Sequence, residues 1–458
     1  MQMLKKIKLS CWLLVTIPVI TMANVTEYKL DNGLKLIVKE DHRAPVVVSQ
    51  VWYKVGSSYE QNGTTGISHQ LEHMMFKGTE NLGPNEFSQI IAANGGSENA
   101  FTGRDYTAYF QTLEKDRLEV SFRLEAERMR KLVIDNTELL KEREVVAEER
   151  RMRTEDNPQA LLSEAFNAAA FVNSPYHHPV IGWMSDINNY EADDLRKWYQ
   201  KWYAPNNATV VIVGDVEPEV VFALAKQYFG PLKPETTAIL KPQVEIEQLG
   251  KRTIEVKAPA ELPYMIMGWK VPVVTTVDQD SSWQPYALEM LAGILDGGDS
   301  ARFSRNLVRG EEVAANVGAG YGLFSRLADV FMVAGTPVKG KTIAELQQAI
   351  MEQIVQLQTE LVSEQELNRI KAQVVANAVY ERDTVFYQAM QIGMLETIGL
   401  DWRLSDAYVE NVQAVTAEQV QAVAKQYFIN QGLTVAELIP MPLDGKKPAM
   451  SAGARHDY

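Results

Sequence analysis

The stretch Gly66-Ile-Ser-His-Gln-Leu-Glu-His-Met-Met-Phe-Lys-Gly-Thr79 sets His69, Glu72 and His73 in the order H-x-x-E-H. Apolar Leu71, Met74, Met75 and Phe76 around them place the run on a helix. At about 100° per residue, positions four apart share a face, so the two imidazoles can converge on one divalent cation. Glu72, one residue before His73, lies beside that cation and can take a proton from water without being a ligand. The bland alternative is a core helix with two incidental histidines. The chain holds only six histidines in 458 residues, which makes a chance pairing improbable.

Two imidazoles leave a catalytic zinc site one protein ligand short. The candidates lie in Lys141-Glu-Arg-Glu-Val-Val-Ala-Glu-Glu-Arg150. On a helix Glu142 and Glu149, seven apart, fall within about 20° of each other and flank Val145 and Val146, while Glu144 and Glu148 point elsewhere. Carboxylates on an apolar sector are costly to bury unless paired or metal-bound. Glu149 is therefore read as the third ligand and Glu142 as a group orienting it or a histidine. On spacing alone the segment reads equally well as a solvated, charge-laced helix.

Working outward, Lys5, Lys6 and Lys8, the apolar Cys11 to Ile20 and Thr21-Met-Ala23 form a leader of secretory type, with cleavage expected near Ala23 and a periplasmic mature chain. An uncleaved anchor is the alternative. The apolar run is too short to span a bilayer, and no later run is a candidate. Losing residues 1–23 removes three lysines and no acid, which moves the net charge from −14 to −17. That acidity argues against nucleic acid and anionic membrane as partners and mildly favours basic peptides. Cys11 is the single cysteine, so any metal site must use His and carboxylate.

The remaining chain reads as a duplication. Thr26 to Glu40 is a hairpin with a type I′ turn signal at Asn32-Gly33, and Val46 to Val55 is a strand. After the motif helix come a short helix (85–93), a hairpin from Gly95 to Leu113 and a helical block from 115 to 171. That block is broken near Asp135-Asn136 and Asp156-Asn157-Pro158. Strand 208–213 and helix 218–229 precede a proline-marked linker. Strands and helices then recur in similar order, and Glu138-Leu139 and Glu366-Leu367 open similar helices. Convergence on common helix-strand patterns is the alternative. Boundaries are expected at 24–232 for a metal-binding domain, 233–250 for the linker, 251–441 for a second domain and 442–458 for a flexible tail. No histidine stands between His178 and His456, so the second domain cannot repeat the site; Leu288-Glu-Met-Leu-Ala292 offers no imidazole where the first has His69 to His73.

These residues resemble the pitrilysin and mitochondrial processing peptidase family of inverted-zincin metallopeptidases, in a short bacterial form. The resemblance is carried by His69-x-x-Glu-His73 with Met74-Met-Phe-Lys-Gly-Thr79, and by Gly95-Gly-Ser-Glu-Asn-Ala-Phe-Thr102 with Asp105 and Tyr109. Glu142 and Glu149, Pro175-Tyr-His-His-Pro-Val-Ile-Gly182 and Pro205-Asn-Asn-Ala-Thr complete it, so that it covers essentially the whole mature chain. It implies an α+β fold of two homologous α/β domains, each a mainly antiparallel sheet packed against helices, together forming half of a clamshell chamber. It implies one Zn2+ per chain on His69, His73 and Glu149, with Glu72 as general base. It further implies that Ser97, Glu98, Asn99, Ala100 and Phe101 form an edge strand that pairs with extended peptide substrates.

Two positions depart from the family pattern. Gln70 stands where an apolar residue is usual. Arg309 is present, but Asn316 holds the place of a tyrosine seven residues on, and Arg309 reads equally as a surface residue. The expected protein is an exported zinc metalloendopeptidase, as a heterodimer with a related metal-less chain in preference to a homodimer. The alternatives are a non-catalytic assembly subunit, a periplasmic peptide-binding module and, least, an iron oxidoreductase.

Overall fold

The computed structural model describes residues 25–236 and 240–443. The expected leader and the tail beyond residue 443 lie outside the described residues. The first half runs β1 (Val25–Lys29), β2 (Lys35–Glu40), β3 (Val46–Tyr53), α1 (Ile67–Met74), α2 (Glu86–Ala93), β4 (Ser97–Thr102) and β5 (Thr107–Glu114). It continues through α3 (Leu118–Lys131), α4 (Asn136–Arg150), α5 (Pro158–Ala170), the single turn α6 (Met184–Ile187), α7 (Ala192–Trp202), β6 (Ala208–Gly214) and α8 (Pro218–Tyr228). The second half runs β7 (Arg252–Pro259), β8 (Tyr264–Val271), α9 (Gln284–Asp296), β9 (Ala314–Gly320), β10 (Asp329–Pro337), α10 (Ile343–Thr359) and α11 (Glu364–Glu381). It closes with α12 (Val385–Ile398), α13 (Leu404–Ala414), α14 (Ala417–Tyr427) and β11 (Leu433–Met441).

The sheets repeat one plan. The first has the order β1-β2-β6-β3-β5-β4 and the second β7-β11-β8-β10-β9. In each, one parallel contact (β2 with β6, β7 with β11) is followed by antiparallel neighbours out to an open edge, β4 or β9. β6, Ala-Thr-Val-Val-Ile-Val-Gly, is buried along its whole length, as a β-branched run between two neighbours should be. The helical block breaks where its caps fall. Asp135 accepts from Thr137 N and Glu138 N to start α4, and Asn157 accepts from Gln159 N and Ala160 N to start α5 with Pro158 in its first turn.

One helix of each half covers the other half's sheet. Leu162, Phe166 and Ala170 of α5 pack with Ile266, Val330 and Ala436, whereas Ala389 and Ile392 of α12 pack with Ile37, Val48, Trp52 and Val211. Both seats need a glycine. A Cβ on Gly268 would stand 2.4 Å from Phe166, and one on Gly393 would stand 2.1 Å from Trp52.

The β1–β2 turn differs from expectation. A type I′ turn needs positive φ at both central residues, and only Gly33 has it, at +90°. Asn32 is instead held by its side chain, whose Nδ2 donates to the carbonyls of Phe229 (2.7 Å) and Leu232 (3.0 Å) beyond α8. A long-range contact decides the turn there.

Candidate metal centre

α1 starts at Gly66, which is in the left-handed region and lies against the backbone of Ile181 and Gly182, where a Cβ would meet Ile181 O at 2.3 Å. Gly66 has no side chain to cap the helix. Glu60 caps it from outside, with Oε2 accepting from Gly66 N at 2.6 Å and Oε1 from Ser68 N at 2.9 Å. Burial pushes the Glu60 carboxyl up to about 7, against the pull of those amides.

From this helix His69 and His73 face Glu149 at the end of α4. The Nε2 atoms stand 3.8 Å (His69) and 3.4 Å (His73) from Glu149 Oε2, and the two rings are 4.8 Å apart at 69°. Donors held at 2.0–2.1 Å by a tetrahedral zinc ion lie about 3.3 Å from one another. Two nitrogens and a carboxylate at these separations fit that ion, and all three ligand atoms lie within 4.8 Å of one another. The side chains are 11%, 22% and 20% exposed, sheltered but not sealed from solvent.

The surroundings tune each donor. Glu142 Oε2 lies 3.2 Å from His73 Nδ1, and Lys77 Nζ donates to the other oxygen of Glu142 at 2.8 Å. A carboxylate on the second ring nitrogen fixes the orientation of a ligating histidine. Burial opposes the charge of His73, but the hydrogen bonds it donates to Glu142 and Glu149 hold its pKa up to about 9. The same hydrogen bond from His73, opposed by burial and helped by the fields of His69 and Arg153, draws Glu149 down to about 2. Burial and then the charge of His73 bring His69 down to about 4.

Glu72 is raised by burial, and Thr102 Oγ1 of β4 donates to its Oε2 at 2.5 Å. It is a sheltered carboxylate beside the cluster with a proton affinity lifted toward that of a base, held by one hydroxyl.

Other candidates fall differently. Ser97 to Phe101 lie on β4, the open edge of the first sheet, which among the described residues pairs only with β5. Ala100 and Thr102 face the α1 side with Glu98, whereas the Phe101 ring packs on the opposite face with Trp52, Tyr106 and Phe110. β4 thus leaves its outer backbone edge unpaired among the described residues, while Phe101 serves the seat of α12. Val145 is a correction: it is 50% exposed while Val146 is buried, so Glu142 and Glu149 border an apolar face one valine wide. Arg309 is exposed beyond residues 303–308 and donates to the Asp299 carbonyl, with no bond among the described residues to the histidine cluster. Asn316, exposed on β9, pairs with Thr336 of β10. Gln70 is buried, and no partner is found for its amide among the described residues.

The sequence reading missed Thr102, Lys77 and Arg153, the last donating to Glu149 Oε1 at 2.8 Å. Thr102 and Lys77 stand within the stretches that carry the family resemblance, but only the fold shows what each touches.

Residues 35–182 match the family profile described as insulinase, peptidase family M16, and residues 189–374 match the M16 inactive domain. The zinc protease PqqE of Helicobacter pylori is 37% identical over 351 residues, covering 75% of this chain and 76% of that one. The crystal structure of a protease from Helicobacter pylori superposes with a TM-score of 0.86 at 31% identity, over 92% of this chain and 100% of that one. The periplasmic protease PqqL of Escherichia coli gives 0.77 at 19% identity, over 93% of this chain and 49% of that one.

Proposed function

The chain belongs to peptidase family M16, and from that premise we propose that it is an exported zinc metalloendopeptidase that hydrolyses extended or unfolded peptides inside a closed chamber. The observation that carries this reading is the convergence of His69, His73 and Glu149 beside Glu72, next to an open strand edge. His69, His73 and Glu149 would hold the zinc, one per chain, and the ion would supply Lewis acidity to the scissile carbonyl and to water.

Every other role falls to the chain. Glu72 takes the proton of the attacking water and passes one to the leaving amine, with Thr102 aiming its carboxylate. Glu142, neutralised by Lys77, keeps His73 in one orientation. β4 adds the substrate as a further strand through main-chain hydrogen bonds, which leaves side-chain preference loose. Residues 24–232 form the catalytic domain, 251–441 its metal-free counterpart and 233–250 their connection.

Cleavage of the leader near Ala23 would place the protein in the periplasm, where its structural neighbour PqqL is described as acting. Among the described residues no helix is long and apolar enough to cross a membrane. A closed chamber needs a second half of similar form, and with Asn316 in the tyrosine position we assign that half to a related metal-less chain rather than to a second copy. The description of the profile matched by residues 189–374 as an inactive domain favours a rival in which this chain binds peptides or assembles a complex without turnover.

The test is degradation of an unfolded polypeptide by the purified mature chain, stripped of metal, then reloaded with zinc, with and without a metal-less relative. Zinc-dependent cleavage in either condition supports the reading; peptide binding without cleavage in both conditions replaces it with the rival.

A further inference from the structure

We propose that Arg326, carried by the β9–β10 loop of the second half, is a positioning residue for the hydrolytic site in the first half. It acts by locking the β4–β5 turn through Asp105. This rests on the hydrolase reading above and adds a task for the half that has no metal ligands.

Asp105 sits in that turn, three residues after Thr102, and is 4% exposed. Its Oδ1 accepts from Ser58 Oγ at 2.7 Å and from Arg326 Nε at 3.2 Å. Its Oδ2 accepts from the Tyr176 hydroxyl and from Arg326 N at 3.1 Å. These four donors fill the acceptor sites of a carboxylate, and Arg326 supplies two of them and the only cation among them. Its second arm donates to Ser58 O at 3.2 Å and Ser58 Oγ at 2.8 Å, and its guanidinium lies 4.4 Å from the Tyr59 ring centroid.

The node reaches both arms of the site. Ser57 N and Ser58 N donate to the carbonyls of Gly103 and Arg104, so the turn after β4 and the 56–59 loop are tied to each other as one piece. Along one arm that piece continues into Thr102, which holds Glu72. Along the other it continues into Glu60, whose carboxylate caps α1 just ahead of His69. Without the Arg326 side chain the buried Asp105 keeps two hydroxyls and the backbone N–H of residue 326 as donors but loses its cation, and both arms lose that charged anchor. Arg104 does not replace it, since its guanidinium is engaged with Asp329 of β10 at 3.1 Å.

The test compares Arg326→Ala and Arg326→Lys with Lys35→Met. Lys35 makes a different contact between the halves, 2.6 Å to Glu396 on α12 and away from the turn. Zinc content, steady-state turnover of a quenched peptide and the visible spectrum of the cobalt-substituted chain are read for each. Arg326→Ala is expected to keep one metal per chain, shift the cobalt bands and lower kcat about 10- to 100-fold, as loss of outer partners of metal ligands does. Its KM should move less than about threefold. Lys, which keeps the charge but not the fork, falls between, and Lys35→Met leaves kcat and the cobalt bands as in the unmodified chain.

Unchanged kcat and cobalt bands in Arg326→Ala would overturn the proposal, as would an equal loss in Lys35→Met. If Arg326→Ala does not fold, Arg326→Lys carries the same comparison. If the unmodified chain cleaves nothing, the hydrolase reading fails by itself. The cobalt bands then decide the positioning role alone: a shift in the Arg326 variants and not in Lys35→Met supports it, and no shift overturns it.

Discussion

The two halves share a strand order, a parallel contact at the same place and an open edge at the same end, yet among the described residues only the first gathers two histidines and a glutamate at metal-ligand separations. α1 in the first half offers His69, Glu72 and His73 to Glu149. α9 in the second, Gln-Pro-Tyr-Ala-Leu-Glu-Met-Leu-Ala-Gly-Ile-Leu-Asp, offers two carboxylates and no imidazole: Glu289, which is raised to about 7 by burial and accepts from the Tyr408 hydroxyl at 2.6 Å, and Asp296 at its end, which accepts from Ala319 N at 3.1 Å. The difference teaches that the α/β scaffold is indifferent to the chemistry. A handful of side chains on two helices separates the half proposed to be hydrolytic from the one proposed to be structural. What the second half keeps is mechanical: α12 covers the first sheet and Arg326 grips the turn after β4.

If chemistry resides in those few residues, removing one should abolish it while the shared scaffold survives. His73→Ala or Glu149→Ala is expected to lose stoichiometric zinc and all measurable peptide cleavage yet to retain an unaltered far-ultraviolet circular dichroism spectrum; metal analysis of the dialysed variants reads this. Glu142→Gln leaves the ligands in place but unties His73, and zinc affinity by chelator competition should weaken about 10- to 100-fold.

The shared scaffold predicts matched responses in the two halves. Gly268→Ala and Gly393→Ala each push a methyl into an aromatic ring of the exchanged helix packing, Phe166 in one case and Trp52 in the other. Each should destabilise by about 1–3 kcal/mol in denaturant melts. Loss from only one would mean that the exchange is not symmetrical.

The smallest effect is a proton. Burial pulls His73 down, but Glu142 and Glu149 hold it up to about 9, so near neutral pH it carries a proton that a metal must displace. Zinc uptake by the metal-free chain in weak buffer near neutrality should release about one proton per ion, declining as pH passes the raised value. A pKa raised in the folded state stabilises fully below the unfolded value of 6.5 and fades as pH rises through about 9. The metal-free chain should therefore melt progressively lower across that window.

Much of this was legible in the sequence because the signals are local. The spacing of His69 and His73 put two imidazoles on one face, and the breaks at Asp135 and Asn157 are helix caps whose side chains reach two or three residues ahead. What was not legible depends on contacts between distant segments. The Asn32-Gly33 turn takes its shape from Phe229 and Leu232, and the seats of α5 and α12 on each other's sheets leave no trace in the periodicity of either helix. Helical spacing alone gave Val145 and Val146 equal standing, whereas the packing of α1 against one side of α4 buries only Val146. Asp105 was visible as part of a familiar stretch, but its partner Arg326 lies 221 residues away.

The central claim is that the first half carries hydrolytic chemistry in which Glu72 is the base and not a ligand. It is tested most directly by measuring zinc content and peptide turnover together for the unmodified chain and for Glu72→Gln, each alone and with a metal-less relative. The account predicts one zinc per chain in both proteins and turnover about 10²- to 10⁴-fold lower in the variant. A zinc-loaded Glu72→Gln that cleaves as fast as the unmodified chain, or an unmodified chain that takes up no zinc, would contradict it.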